Sequence, residues 1–351
     1  MNVKRDELIK ALKLASLGVN NKETAAQSSF FMFTGDSIVG DNEIIHAKVN
    51  FETEITGAIK AEELMSILSK MVSPAIDMTV DGDSLVFKSG RSKTGLTIYP
   101  LLRESVARIN PLEDDPEGFK KIMEVDTGIS VGLEACKPCC SSSLSNRALS
   151  AINVSKRSMI ACDNFQAIRV SSDTDIISID NILIPSYAID AMMGIQFDQL
   201  FMNDGFLCVA VNSQTKNWIM FEAIDSNEIE YPDIEFLFGS HGTEIKFPDG
   251  FLGAVKKAEV FAKNSLKSEE IYVQVTITPE SMIVRGEGTN GFYEEEFDFI
   301  FDSKVKFVAS PRTLDFLLNK DFIKIELIND ETPRIMMVTD FCTYTITIET
   351  E

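Results

Sequence analysis

Ala61-Glu62-Glu63-Leu64-Met65-Ser66-Ile67-Leu68-Ser69-Lys70 decides the architecture, because its pattern returns twice along the chain. Leu64, Ile67 and Leu68 fall on one face of a helix of 3.6-residue period. Ser186-Tyr187-Ala188-Ile189-Asp190-Ala191-Met192-Met193 places Ile189, Met192 and Met193 in the same pattern. Pro311-Arg312-Thr313-Leu314-Asp315-Phe316-Leu317-Leu318 repeats it with Leu314, Leu317 and Leu318. The positions run 64→189→314, 67→192→317 and 68→193→318, a constant step of 125. Periodic self-similarity of this kind marks a chain built from repeated units.

The surroundings repeat as well. An apolar strand precedes each helix: Glu54 to Ile59, Asn181 to Ile184, and Val305 to Ala309. Pro185 and Pro311 lie near helix starts, where a missing amide hydrogen costs nothing. Alternating strands around a polar turn follow each helix, at Val80-Asp81-Gly82-Asp83, Met202-Asn203-Asp204-Gly205 and Ile328-Asn329-Asp330-Glu331. Such turns predict hairpins. An earlier helix also recurs, over Asp6 to Ser16 and Asp249 to Leu266, with a poorer middle copy about Ile129 to Cys140 that Pro138 should break. Acidic, proline-bearing linkers lie at Asn110 to Gly118 and from Glu230-Tyr231-Pro232-Asp233 to Gly242. The reading is α+β: three tandem domains over 1–118, 119–240 and 241–351, each with two helices on a mostly antiparallel sheet.

Composition narrows the function. No apolar run is long enough to span a membrane, and the charged start at Lys4-Arg5-Asp6-Glu7 lacks a signal peptide's apolar core, so a cytoplasmic protein is expected. Six cysteines in so long a chain suit free, buried thiols better than a disulfide framework. The net charge of −21 argues against a simple nucleic-acid binder, which usually carries a basic domain. It leaves room for a protein that gathers its positive charges on one face.

Catalytic sets are scarce. Only two histidines exist, His46 and His241, which starves general-base schemes. Cys136-Lys137-Pro138-Cys139 spells C-x2-C, but no second pair stands at zinc-site spacing, so no metal is expected. Gly286-Glu287-Gly288-Thr289-Asn290-Gly291 spells G-x-G-x-x-G, yet the residues after it alternate like a strand, which predicts a hairpin turn and no nucleotide cofactor. A binding or scaffolding protein, not an enzyme, is the reading.

Several segments together resemble the bacterial-type DNA polymerase III beta sliding clamp. Lys4 to Leu12 is similar to that family's first helix, and Thr56-Gly57-Ala58-Ile59-Lys60-Ala61 to the segment entering its second. Ala161-Cys162-Asp163-Asn164-Phe165-Gln166-Ala167-Ile168 resembles its Ala-Thr-Asp-Gly-His-Arg-Leu-Ala stretch. Ile184-Pro185 before a helix and Tyr231-Pro232-Asp233 at the second linker also match. The resemblance implies a head-to-tail homodimer whose six domains close a ring around double-stranded DNA, contacted without regard to sequence. It implies partners in a replicative DNA polymerase and a clamp loader.

On that resemblance Lys10, Lys13, Lys22, Lys256, Lys257, Lys263 and Arg312 are the expected DNA-facing residues. A hydrophobic pocket for partner peptides maps to Leu149, Cys162, Asn164, Phe165, Ala167, Val308, Thr345 and Ile346. Ring closure is expected through the strands bearing Leu96 and Ile98, and Met282 and Ile283. The chain departs from the family at Asn164-Phe165-Gln166-Ala167 and in its acidic tail Thr347-Ile348-Glu349-Thr350-Glu351, which implies a different peptide specificity and would suit a virus- or phage-encoded clamp acting in the host cytoplasm. Two other readings stay open: a ring-forming structural protein of a virus or phage particle, and a thiol hydrolase using Cys162 or Cys139.

Overall fold

The computed structural model describes residues 1–102, 111–143, 145–239, 241–263, 271–302, 304–311, 314–315, 324–328 and 331–350. One element order recurs through them. The first copy runs β1 (Asn2–Lys4), α1 (Arg5–Ala15), β2 (Phe30–Thr34), β3 (Ser37–Asp41), β4 (Ile45–Asn50), β5 (Thr56–Lys60), α2 (Ala61–Lys70), β6 (Ala75–Asp81), β7 (Ser84–Ser89) and β8 (Ser92–Thr97). A short helix, α3 (Pro111–Asp114), lies in the first linker. The second copy runs β9 (Lys120–Glu124), α4 (Thr127–Cys136), β10 (Ala151–Ser155), β11 (Ser158–Cys162), β12 (Gln166–Ser171), β13 (Asn181–Pro185), α5 (Ser186–Gly194), β14 (Gln199–Met202), β15 (Leu207–Val211) and β16 (Trp218–Glu222). The third runs β17 (Thr243–Glu244), α6 (Phe251–Ala262), β18 (Val273–Ile277), β19 (Ser281–Gly288), β20 (Gly291–Asp298), β21 (Val305–Ala309), β22 (Lys324–Ile328), β23 (Arg334–Val338) and β24 (Cys342–Thr350). Its second helix shows Pro311, Leu314 and Asp315 in helical conformation, while Leu317 and Leu318 lie outside the described residues.

The recurring helices form where the periodicity puts them. Leu64 and Leu68 of α2, Ile189 and Met192 of α5, and Leu314 are all buried. In α1, Leu8, Ala11, Leu12 and Ala15 make the buried stripe, with Asp6 and Glu7 in the first turn and Lys13 in the last, as the helix dipole favours. The middle copy of this helix ends early. Lys137–Cys139 tightens into a 3-10 turn with Pro138 in it, because proline cannot donate to the α-helical ladder. The Gly286–Gly291 stretch is the β19–β20 hairpin, with Gly291 at φ 139°, a conformation that favours glycine.

Contacts divide the chain into two compact units, Met1–Asp126 with Tyr187–Ala223, and Thr127–Ser186 with Ile224–Glu351. These do not follow the limits of the sequence copies. The reason is that the sheets run across them. In the first unit one antiparallel sheet has the order β5-β2-β3-β4-β16-β15-β14-β9, joined where β4 pairs β16, Ile45 to Phe221 through Lys48 to Trp218. In the second unit β13-β10-β11-β12-β24 has the same form, joined where β12 pairs β24, Gln166 to Ile346 through Val170 to Cys342. There β24 also pairs β23, which continues to β22 and β17, and β21, which continues to β18, β19 and β20. The strands β1-β6-β7-β8 form a separate sheet of four in the first unit. Among the edge strands of the described residues are β8, at one end of this sheet, and β20, at one end of the large sheet of the second unit.

Helix and sheet meet so closely at two places that only glycine fits. A Cβ on Gly40 of β3 would stand 2.2 Å from the Ala15 carbonyl oxygen of α1, and one on Gly286 of β19 would stand 2.0 Å from that of Ala258 in α6. Both obstacles are backbone and cannot swing aside. Gly40→Ala should therefore cost about 1–3 kcal/mol of stability, the usual penalty of overpacking, whereas Gly95→Ala, whose Cβ meets nothing nearer than 3.9 Å, should cost little. Urea unfolding of the two variants checks this.

Candidate functional site

In the second unit the site begins at the turn between β11 and β12. Asp163 folds it: one carboxylate oxygen accepts from the amides of Phe165 (2.7 Å) and Gln166 (2.9 Å), the other from Gln166 Nε2 (2.9 Å) and the Tyr272 hydroxyl (2.7 Å). Burial pushes the Asp163 carboxyl above its ordinary pKa, and these hydrogen bonds oppose the shift only in part. Asn164 and Phe165 stand exposed at the tip, with the Phe165 ring edge-on to Tyr272 at 5.3 Å. The Phe165 carbonyl accepts from the amide (2.8 Å) and hydroxyl (2.9 Å) of Thr347, which locks the tip onto β24.

Strand alternation then sorts the side chains. Cys162, Ala167 and Thr345 are cross-strand partners in sequence across β11, β12 and β24, so they share one sheet face. On that face Ile160, Cys162 and Ala167 pack with Leu237 and Phe238, while Leu149, Tyr231 and Ile234 sit partly buried around them. Leu237 and Phe238 come from a 3-10 turn over Glu235–Phe238 in the second linker. Two arginines pin this turn. Buried Arg334 donates from Nε to the Leu237 carbonyl at 2.9 Å and from Nη1 to the Thr332 carbonyl at 2.7 Å. Arg169 lies 5.0 Å over the Phe238 ring and 2.8 Å from Glu235 Oε2. Phe165 and Phe236, at 41% and 60% exposure, leave apolar surface open to a partner.

The structure thus gathers Leu149, Cys162 and Ala167 into one cluster, sets Thr345 on the same face, and puts Asn164 and Phe165 at its rim. Two expected members are elsewhere. Ile346 pairs with Gln166, and alternation turns it to the opposite, fully buried face. Val308 lies in β21 opposite Gln274 and is not part of the cluster. Tyr231, a linker mark in the sequence, and Ile234, Leu237 and Phe238 join the cluster beyond the expected residues. The i, i+3, i+4 spacing of the last three, directly after Pro232-Asp233, was the available signal.

Burial disfavours the thiolate at several of the cysteines. Burial drives the Cys162 thiol up, the Tyr231 hydroxyl 3.5 Å from its sulfur notwithstanding, and raises Cys136 and Cys140 as well. Cys136 and Cys139 are fully buried core residues. Among the described residues no group of His, Cys, Asp and Glu is arranged to hold a metal ion, and no helix is long and apolar enough to cross a membrane.

The expected DNA-facing lysines fall into two classes. Lys10 and Lys13 on the outer side of α1, and Lys22 in the loop after it, are exposed and make no ion pair among the described residues. Those of α6 are engaged: Lys256 with Asp315 (2.6 Å), Lys257 with Glu295 (3.0 Å) and Lys263 with Glu259 (2.8 Å). Arg312 lies outside the described residues. The expected closing strands need correction. β8 is a sheet edge, but Leu96 is buried in the core of its own unit and Ile98 packs against that core. Met282 is fully buried, and β19, which carries it and Ile283, lies between β18 and β20. The edge strand there is β20, because the hairpin at Gly288–Gly291 folds it outside β19.

No family model and no curated protein matches the chain. Solved structures do. The DNA polymerase III beta subunit of Thermotoga maritima superposes with a TM-score of 0.69 at 15% identity, over 100% of this chain and 99% of that one. The fold is that of a sliding clamp. The DNA polymerase III beta chain of Streptococcus pneumoniae gives a TM-score of 0.69 at 14% identity, again over 100% and 99%. The Helicobacter pylori beta clamp bound to a DNA ligase peptide gives 0.65 at 13%, with the same coverage. Sliding clamps of this type have three-domain chains, and the threefold element order matches them end to end.

Two outcomes test the site as described. Arg334→Ala strips the Leu237 and Thr332 carbonyls of their donor and opens a void, and should cost about 2–4 kcal/mol in chemical unfolding. Asp163, with a folded pKa above its unfolded one, adds stability below the unfolded value and loses it as pH rises through the folded value. Asp163→Asn should therefore compare more favourably with the parent at pH 7 than at pH 4 in parallel urea titrations.

Proposed function

We propose that the chain is a DNA sliding clamp, a processivity factor that closes into a ring as a head-to-tail dimer and carries no catalytic activity. Two of the edge strands, β8 and β20, carry this reading. Within the chain, the fourth strand of one copy's first set pairs with the last strand of the next copy's second set, as β4–β16 and β12–β24. The same rule applied to β20 leaves it without a partner, and applied in reverse leaves β8 without one. A second copy of the chain supplies each, and a heterologous contact of this kind closes a ring when its rotation allows. The edges are also complementary in charge. Arg91 directly precedes β8, Glu296 and Asp298 stand in β20, and none of the three makes an ion pair among the described residues.

On this reading the chain consists of three clamp domains, 1–118, 119–240 and 241–351, and works in the cytoplasm. Lys10, Lys13 and Lys22 are the first candidates for contacts to duplex DNA, since the α6 lysines must first leave their carboxylates. Phosphate contacts of this sort ignore sequence and weaken with salt, as sliding requires. The apolar surface beside the Cys162–Leu237 cluster, where Phe165 and Phe236 are exposed, receives an apolar peptide from the replicative polymerase or the clamp loader. The Helicobacter pylori beta clamp was solved bound to a DNA ligase peptide.

Light scattering should give a mass near twice the 39.0 kDa chain. Arg91→Glu or Glu296→Lys alone should shift it towards monomer, and the two together should restore the dimer. The dimer, loaded onto nicked circular DNA by a clamp loader, should be lost when the circle is linearised. A stable monomer, or retention indifferent to topology, refutes the clamp reading.

A further inference from the structure

The first unit holds a counterpart of the Cys162 cluster, and it is open. The β3–β4 turn occupies the place in β5-β2-β3-β4-β16 that the β11–β12 turn occupies in β13-β10-β11-β12-β24. The registers agree residue by residue. His46 stands opposite Asp41 and Met220, as Ala167 stands opposite Cys162 and Thr345. The linker covers both faces, with α3 and Phe119 here and the 3-10 turn there. In the second unit Tyr231, Ile234, Leu237 and Phe238 fill the space. In the first a hollow of about 550 Å³ remains.

Its walls are acidic and its inner surface apolar. Asp41, Glu43, Asp114, Asp115 and Glu222 line it, and no lysine or arginine does. Glu43, Asp114, Asp115 and Glu222 are exposed and form no ion pair among the described residues. Met220, Leu207 and Phe119 give the apolar surface, with Ile44 exposed at the lip. His46 supplies an independent mark of a missing ligand. Its ring lines the hollow, is 2% exposed, and stacks on Trp218 at 5.2 Å. Its Nδ1 lies 3.0 Å from Asp41 Oδ2, without the alignment of a good hydrogen bond, and its Nε2 is buried with no partner. A carboxylate beside Nδ1 favours the proton there, which leaves Nε2 as an acceptor in want of a donor. An unmet buried acceptor is costly.

We propose that this hollow is a second peptide-docking site, taking a short segment of a partner protein in which arginines flank an apolar anchor. Guanidinium groups meet the carboxylates in bidentate fashion and can donate to His46, while the anchor packs on Met220. The proposal extends the peptide-binding reading of the Cys162 cluster to its counterpart, and reverses the charge of the preferred ligand.

The test uses the full chain without DNA or loader, so a failure of ring closure does not affect it. A fluorescein-labelled peptide with arginines flanking a leucine is titrated and followed by anisotropy. Combined Asp114→Asn and Asp115→Asn should weaken binding about tenfold or more, roughly 1.4 kcal/mol, with an unchanged thermal melt. Combined Glu62→Gln and Glu63→Gln, which removes two exposed carboxylates of α2, should leave it unchanged. Equal binding by the parent and the Asp114/Asp115 variant overturns the proposal. So does equally tight binding of an all-arginine peptide, or displacement by equimolar spermidine, because either would make the attraction one of diffuse charge.

Discussion

Antiparallel pairing between strands that belong to different copies of the repeat, β4 with β16 and β12 with β24, is the constraint on which the remaining structure depends. Each pairing satisfies the backbone of two strands that would otherwise be edges. An unsatisfied edge invites association with other chains, and proteins seldom leave a long one bare. The same pairings make each sheet continuous across a sequence boundary, which is why compact units and sequence copies do not coincide. They also define what is left over. An element order that occurs three times, with two internal joins, necessarily leaves one strand at each end, and β8 and β20 are those strands.

The joins also create the sites. Where β12 meets β24, alternation brings Cys162, Ala167 and Thr345 onto one face, and the linker turn is drawn over it by Arg334 and Arg169. Where β4 meets β16, the same geometry carries Asp41, His46 and Met220. One scaffold thus gives two recesses of different character. Apolar linker side chains close the first around a hydrophobic cluster, while an acidic linker leaves the second open and negatively charged. The difference lies in a few linker residues, so it changes the chemistry of the recess without disturbing the strand pairing beneath.

Charge is distributed with similar economy. A net charge of −21 on the chain would repel duplex DNA at long range. Pairing of Lys256, Lys257 and Lys263 with carboxylates mutes α6, whereas the lysines of α1 stay unengaged. Exposed ion pairs of that kind are worth little and exchange easily. They set which positive charges are available first.

The sequence by itself determined the repeat and the helices. Apolar residues at i, i+3 and i+4 recurring every 125 positions leave little freedom, since each stripe must be buried. It also determined the hairpins, through turn residues such as Gly82 and Gly291, and grouped Leu149, Cys162 and Ala167 by resemblance, three residues that the structure packs together. Tertiary structure decided what depends on register. Ile346 and Thr345 are adjacent in sequence, yet the two-residue period of a strand sends them to opposite faces, and only the pairing with β12 says which face is which. Likewise β19 reads as well as β20 for an edge until the hairpin is folded, because an edge is a property of neighbours and not of a strand's own residues. The linker side chains Ile234, Leu237 and Phe238, and the open recess at His46, became visible only when segments far apart in sequence met on one sheet face.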